Sequence, residues 1–486
     1  MVAFRSRYRL IYMSEAATEH RPLNVLILAA GLGTRMRSDL AKVLHRLDGR
    51  PLIDHVFRTA TALAPETIFV VIGHQGEDVK AAVLAENEGE SVVFVNQEHQ
   101  LGTGDAVNSA RRYLEQNDST IVVLSGDVPM IRPETLAALV QHHHRSAESG
   151  AAATILTVRL SEPLGYGRIV RDEDGQFLRI VEQKDADEEQ KLIQEINAGI
   201  YCFDARKLYS ALSAVKNNNS QGEYYLTDVP ELLRRAGEEV AIFQYGDPQE
   251  IEGVNNRAQL ADLERLIRRR TVARLMTESG VTIIDPKNSY ISSDASIGSD
   301  TTIYPNVFIE GRTRIGSGCT IRPGSRLVNA TVGEMVEIRD NCLIIDSEIG
   351  DGCTVGPMAH LRGHAVMAEG SKVGNFVELK KTRLGKKSKA SHLTYLGDAA
   401  IGEETNIGAG TITCNYDGKN KHETHIGDRV KIGSDTMLVA PVTVGDDAAT
   451  GAGSVVTKDV EPGELVVGVP AVALKRSGSK TGESAG

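Results

Sequence analysis

The run Asn24-Val25-Leu26-Ile27-Leu28-Ala29-Ala30 leads directly into a glycine-rich turn, Gly31-Leu32-Gly33-Thr34-Arg35, with Lys42 a few residues on. A turn of this kind after a strand brings the backbone N–H groups of Leu28, Ala29, Ala30 and Gly31 up to phosphate oxygens, and Arg35 and Lys42 add the positive charge that a triphosphate requires. It is not a P-loop, because no Gly-Lys-Ser/Thr follows. It is not the dinucleotide fingerprint either, because Met36 takes the place of the third glycine. Asp127 closes a second apolar run, TIVVLSGD, where a carboxylate can hold a hard cation such as Mg²⁺ between phosphate oxygens. Far downstream a dense polar block, VGNFVELKKTRLGKKSKASHLTYLGDA and then NIGAGTITCNYDGKNKHET, gathers Lys380, His392, Asn415 and Lys421. One histidine among 13 is unremarkable, and it is the block around His392 that marks it.

Two different rhythms must position these residues. From Leu23 to about Gln244, β-branched runs (NVLILAA, TIFVVIG, SVVFVNQ, TIVVLSGD) alternate with amphipathic stretches. That predicts a parallel sheet wrapped in helices, with ligands at the carboxyl ends of the strands. From Ile291 the apolar positions step by six: Ile291, Ile297, Ile303, Ile309, Ile315, Ile321 and Leu327, then Ile349, Val355, Leu361 and onwards, and again from Ile426. A six-residue apolar repeat, often followed by Gly, predicts a parallel β-helix in which each hexapeptide forms one face of a triangular coil. The phase breaks near Val332 and from Cys414 to His425, read as projecting loops. Leu260, Leu263, Leu266, Ile267, Leu275 and Met276 approximate one stripe of a connecting helix. On it Arg268 to Arg270 read as a solvated face, as do His142 to His144 on an earlier helix.

The expected organisation is a flexible arm over 1–20, a doubly wound, Rossmann-like α/β domain over 21–254, a linker with a long helix over 255–290, a left-handed β-helix over 291–476, and a disordered tail over 477–486. Fifty-four Lys plus Arg against 65 Asp plus Glu leave a net charge of −11, the wrong sign for a nucleic-acid or anionic-membrane binder. Any anionic substrate must then meet a local basic cluster. The five cysteines form no C-x-x-C pair, so neither a disulfide framework nor a zinc ribbon is written here. No apolar run reaches the roughly 20 residues of a membrane helix. A reduced, cytoplasmic protein is expected.

The glycine-rich turn with its following Lys42 and Leu44 resembles the N-terminal signature of the sugar nucleotidyltransferase family. Gln97 with Leu101-Gly102-Thr103-Gly104, Gly126-Asp127-Val128-Pro129, and Glu252-Gly253-Val254-Asn255-Asn256-Arg257 continue the resemblance. It implies that Gln97, Gly102 and Thr103 read a uracil edge, that Arg35 and Lys42 hold phosphates, and that Asp127 and Asn255 ligate Mg²⁺. It further implies that Gly167, Glu182 and Asn197 select an N-acetylglucosamine acceptor. Ser125 departs from the pattern, which carries Tyr before Gly-Asp-Val-Pro. The phosphate oxygen of a sugar phosphate is already nucleophilic at neutral pH, so catalysis of its uridylylation is positioning and charge stabilisation, with no general base.

With the polar block included, the chain from about Leu23 to Pro470 resembles the bifunctional UDP-N-acetylglucosamine pyrophosphorylase/glucosamine-1-phosphate N-acetyltransferase family. That resemblance implies acetyl transfer from acetyl-CoA to glucosamine-1-phosphate in the β-helix, then coupling of the product to UTP in the N-terminal domain. The product is a precursor of bacterial cell-wall polymers. Acetyl transfer needs a base, because the substrate amine is largely protonated at neutral pH. His392 corresponds to that base, with Asn415 orienting it or stabilising the oxyanion. Glu378 and Tyr416 lie around the amino group and Ser434 near the thioester. Arg362, Lys380, Tyr395 and Lys421 cradle the phosphate. Asn406, Ala409 and Ala452 line sugar and coenzyme A, while Gly468 stands where the family carries Arg before Val-Pro, with Lys475 and Arg476 beyond it. A homotrimer is implied, with neither nucleic acid nor membrane as partner. The alternative is a sugar-1-phosphate nucleotidyltransferase whose β-helix is a non-catalytic trimerising strut.

Overall fold

The computed structural model describes residues 21–474, apart from 88, 90 and 149. The expected arm, the tail, and Lys475 and Arg476 lie outside the described residues. The chain divides into two compact units, the first ending at Glu264 and the second beginning at Arg265. Among the described residues no helix is long and apolar enough to cross a membrane.

The first unit is built on β1 (Leu23–Leu28), β2 (Thr67–Ile72), β3 (Val92–Asn96), β4 (Thr120–Ser125), β5 (Ala151–Arg159), β6 (Arg168–Arg171), β7 (Phe177–Val181), β8 (Glu195–Asp204) and β9 (Glu239–Gln244). The sheet order is β9-β5-β8-β4-β1-β2-β3, with β6 on β8 and β7 on β6. β1 pairs in parallel with β2 and β4, and β2 with β3. The expectation of a parallel sheet holds for these strands and for β9 on β5. β8 runs antiparallel to both β4 and β5, so the sheet is mixed. Alternation along β1 sends Val25 and Ile27 into one buried cluster and Leu26 into the other, because successive side chains leave a strand on opposite faces. Both faces are covered, which is why the strands read as continuous apolar runs.

The histidine run is not solvated as expected. His143 on the helix Pro133–Glu148 is 1% exposed, and its Nδ1 meets the Thr154 hydroxyl at 3.0 Å. Burial brings it down to about 4, helped by the neighbouring His144, so it is a neutral core group.

The second unit winds three short strands per coil. The apolar hexapeptide positions, such as Ile303, Ile321, Ile338, Val355 and Val373, stack one above another in a single buried column system. Near Val332 no loop projects. The step from Leu327 to Val332 is five residues instead of six, Val332 stays in register between Ile315 and Ile349, and the coil shortens by one residue at its corner. The second phase break is a true insertion: Asn415–Glu423 leaves the coil, closed by a bridge between Tyr416 and Lys421.

One helix, Arg257–Thr277, carries the chain across the division, and its Val272 and Leu275 are buried against the first coils. Here Arg268 is not solvated as expected. Its guanidinium lies 4.7 Å over the Tyr290 ring, which stacks on Phe308 at 4.6 Å, while Arg269 stays exposed.

Candidate active sites

In the first unit the glycine-rich turn leaves the carboxyl end of β1 and closes in a short 3₁₀ turn, Thr34–Met36, capped by Gly33 in the left-handed region at φ 62°. A Cβ at Gly33 would collide with the Lys42 Cβ, so only glycine lets the turn and the Lys42 segment touch. Arg35 is exposed there, alongside exposed Gly31, and Lys42 reaches across to pair with the Asp127 carboxylate. The other oxygen of that carboxylate accepts from the Ser125 hydroxyl at 2.5 Å. The residue that departs from the family pattern thus fixes the orientation of Asp127.

The Glu252–Arg257 segment is brought in by Val254, whose N–H donates to the Asp127 carbonyl at 2.9 Å. This sets Asn255 beside the end of β4, its own N–H capped by Gln259 at 2.8 Å. Among the described residues no three His, Cys, Asp or Glu gather into a metal cage. One carboxylate and one amide oxygen at a strand end suit Mg²⁺, which takes few protein ligands and completes its shell with water and substrate phosphate.

Gln97 is buried and donates to Asp105 at 2.7 Å and to the Gly102 carbonyl at 3.3 Å. Gly102, at φ 115°, packs so closely on the Tyr224 backbone that a side chain would clash. The Thr103 hydroxyl accepts from the Leu226 N–H at 3.0 Å, so it anchors the loop opposite. Gly167, Glu182 and Asn197 converge. The Asn197 N–H donates to the Gly167 carbonyl at 2.9 Å, and a Cβ on Gly167 would stand 3.6 Å from Glu182 Oε1. Burial raises the Glu182 carboxyl, while the Thr227 hydroxyl, donating at 3.1 Å, opposes the shift.

Tyr166 was not singled out from sequence. Its phenol is raised by burial and by the nearby Glu252 and Asp127, and the Gly253 backbone bonds it, so it stands between the Gly167 turn and the Asp127 strand end. Lying in Gly-Tyr-Gly, it carries no chemical signal in the sequence.

In the second unit His392 is exposed, and its Nδ1 lies 2.6 Å from Asn375 Oδ1. A carboxamide oxygen only accepts, so Nδ1 carries the proton and Nε2 presents its lone pair. The orienting contact that the resemblance implied for Asn415 is therefore made by Asn375. Its signal was available, since Asn375 lies 17 residues before His392 and parallel register sets the two side by side on adjacent coils. The same register, carried through Lys372, Lys389, Asn406, Lys431 and Ala449, puts Ala409, Ser434 and Ala452 above His392 at one corner, one per coil. At about 4.8 Å per coil the row rises about 14 Å from His392 to Ala452.

Five residues along the strand from Asn375, about 16 Å at 3.3 Å per residue, the next corner is basic. Arg362 bonds Glu378 through Nε at 2.7 Å and Nη2 at 2.6 Å. Lys380 and Lys421 face each other, and the Lys380 ammonium holds Lys421 below the ordinary lysine range. Asp398 sits among them and accepts from Asn415. Glu378 and Tyr395 pair in register between the two corners. Asn406 lies on the preceding face, and Tyr416 is exposed in the insertion, its hydroxyl on the Gly418 carbonyl at 2.7 Å. One chain thus lines up an imidazole with a free Nε2 lone pair, a central carboxylate and phenol, and a cation pair, and does not bring Asn406 or Tyr416 to His392.

Comparison with known proteins places the chain in a family. Residues 25–218 match the MobA-like NTP transferase domain, 284–388 the GMPPB C-terminal domain, and 423–458 six repeats of the bacterial transferase hexapeptide. A Syntrophomonas wolfei protein described as "Bifunctional protein GlmU" is 48% identical over 458 residues, 94% of this chain and 98% of that protein. Proteins of the same description from Heliobacterium modesticaldum (50% identical over 442 residues, 91% of this chain and 94% of that one) and Corynebacterium glutamicum (48% over 446 residues, 91% of each) are similar along the same length. With a nucleotidyltransferase half and a hexapeptide half matched end to end, the chain belongs to the GlmU family of bifunctional proteins.

Proposed function

We propose that the chain makes UDP-N-acetylglucosamine in two reactions, acetyl transfer in the unit from Arg265 onwards and uridylyl transfer in the unit ending at Glu264. The observation that carries this reading is the presence of both constellations in one chain: Lys42 on Asp127 in the nucleotide domain, and, in the β-helix, Asn375-oriented His392 one corner away from a Lys380–Lys421 cation pair.

In acetyl transfer the phosphate of glucosamine-1-phosphate rests on Arg362, Lys380 and Lys421, where a dianion relieves the repulsion between the two ammonium groups. Glu378 and Tyr395 flank the ring, and the amino group reaches His392. Nε2 takes a proton from the amine as its nitrogen attacks the thioester carbonyl, the C–S bond breaks, that proton passes to the departing thiolate, and the additional proton of an ammonium substrate goes to water. The row Ala409, Ser434 and Ala452, small residues rising from the base, suits an extended thioester arm. Outward apolar side chains on the same face, among them Leu343, Ile412 and Val439, favour packing with further copies as a homotrimer.

In uridylyl transfer Gln97 and the Gly102-Thr103 turn receive the uracil, and Gly167, Glu182 and Asn197 the N-acetylglucosamine. Arg35, Lys42 and the N–H groups of Leu28 to Gly31 hold the triphosphate while the sugar phosphate oxygen attacks the α-phosphorus and pyrophosphate leaves. Asp127 and Asn255 would hold Mg²⁺, which supplies charge neutralisation at the phosphates.

Two separate assays test the reading: thiol release from acetyl-CoA with glucosamine-1-phosphate, and pyrophosphate release from UTP with N-acetylglucosamine-1-phosphate. Asp127→Ala abolishes the second and spares the first; His392→Ala does the reverse. Loss of both activities from either change in a folded protein overturns the two-site assignment, and pyrophosphate without thiol release reduces the β-helix to a strut.

A further inference from the structure

The segment Ser38–Ala41, which delivers Lys42 to its place, belongs to no strand or helix, so its backbone groups must be satisfied from outside. Side chains do this. The Gln75 carboxamide accepts from the Ala41 N–H at 2.6 Å and donates to the Asp39 carbonyl at 2.8 Å, gripping both ends of one dipeptide. The Leu40 N–H goes to the Ser38 hydroxyl at 3.2 Å, and the Leu40 carbonyl is bonded by the His45 ring. Of these holders Ser38 and His45 are close neighbours in sequence, whereas Gln75 comes from a distant segment, at the entry to the helix Gly76–Glu86.

Gln75 sits there in the left-handed region, φ 53° and ψ 36°, a conformation in which glycine is the favoured residue. Its side chain makes no capping bond to its own helix. The backbone would therefore be better served by glycine, and the glutamine side chain serves only the loop. We propose that Gln75 is a positioning residue for uridylyl transfer, its carboxamide clamping Asp39–Ala41 so that Lys42 is presented at Asp127. This rests on the reading that Lys42 holds the nucleotide phosphates.

The test is Gln75→Gly, which removes the clamp and relieves the backbone at the same position, so that lost activity cannot be put down to lost stability. Expected are an unchanged or higher Tm, unchanged thiol release in the acetyl assay, faster hydrogen exchange at the Ala41 amide, and a fall in kcat/KM for UTP of about 10- to 100-fold, the usual consequence of a charged group displaced by about 1 Å. Gln75→Glu keeps the acceptor for Ala41 and loses the donor to Asp39, and it falls between the two. Lys42→Ala, run alongside, separates the failures. If Lys42→Ala is inactive while Gln75→Gly keeps wild-type kcat/KM and Ala41 protection, Gln75 has no positioning role and the phosphate reading stands. If Lys42→Ala is itself active, the phosphate reading fails and the clamp falls with it.

Discussion

Truncating Asn375 to alanine isolates the orientation of the acetyl-transfer base. Asn375 and His392 are neighbours by backbone register, so the ladder between their coils survives the loss of the side chain. What disappears is a single contact, 2.6 Å from Nδ1 to Oδ1, which fixes both the tautomer and the rotation of an exposed ring. A neutral hydrogen bond is worth about 0.5–1.5 kcal/mol net, and releasing an immobilised side chain adds roughly 0.5–1 kcal/mol. The sum, about 1–2.5 kcal/mol at about 1.36 kcal/mol per tenfold, corresponds to a fall in kcat of about 5- to 70-fold. Thiol release at saturating acetyl-CoA and glucosamine-1-phosphate reads this directly, with pyrophosphate release as the internal control, unchanged. A kcat for Asn375→Ala within about twofold of wild type would refute the argument, because Asn375 would then be a bystander and His392 would be oriented by something else.

Gly397 lies in the same β-helix face, where a Cβ would fall 2.8 Å from the Asn415 amide and closer still to the Tyr395 hydroxyl. Gly397→Ala is expected to push both aside and raise KM for glucosamine-1-phosphate about tenfold with little change for acetyl-CoA; equal KM values for wild type and variant would remove Tyr395 and Asn415 from the sugar site. In the first unit, burial with Glu231 and Asp185 nearby raises Asp228 to about 6 from an ordinary 3.8. A carboxyl raised on folding destabilises the native state above pH 6, progressively less between 6 and 3.8, and not at all below. Asp228→Asn is therefore expected to stabilise the first unit above pH 6 by about 1 kcal/mol, discounted for partial exposure, with the gain vanishing near pH 4. Urea titrations at three pH values check it, and a gain that grows on acidification contradicts the sign.

Much of this was legible in sequence because its physical signals are local or periodic. Hexapeptide spacing announces a coil through the apolar column it must build, and it located the second unit without any long-range information. A glycine turn after a strand, followed by Arg35 and Lys42, announces phosphate, and Asp127 at a strand end announces a cation, because each requirement is met within a few residues. What the spacing alone left undecided depended on register and on packing between distant segments. The antiparallel β8 is invisible in composition, since a strand covered on both faces reads the same in either direction. His143, in a polar run, is buried because its side of the helix meets Thr154. Arg268 found an aromatic face, Tyr290, 22 residues further along the sequence. The row of Asn375, His392, Ala409, Ser434 and Ala452 exists only because coils of 17 and 18 residues, and one longer by an insertion, are brought back into phase at their corners. Residue types determined which chemistry was available to this chain; three-dimensional register determined which of those residues meet, because hydrogen-bonded ladders align neighbouring coils regardless of how many residues separate them.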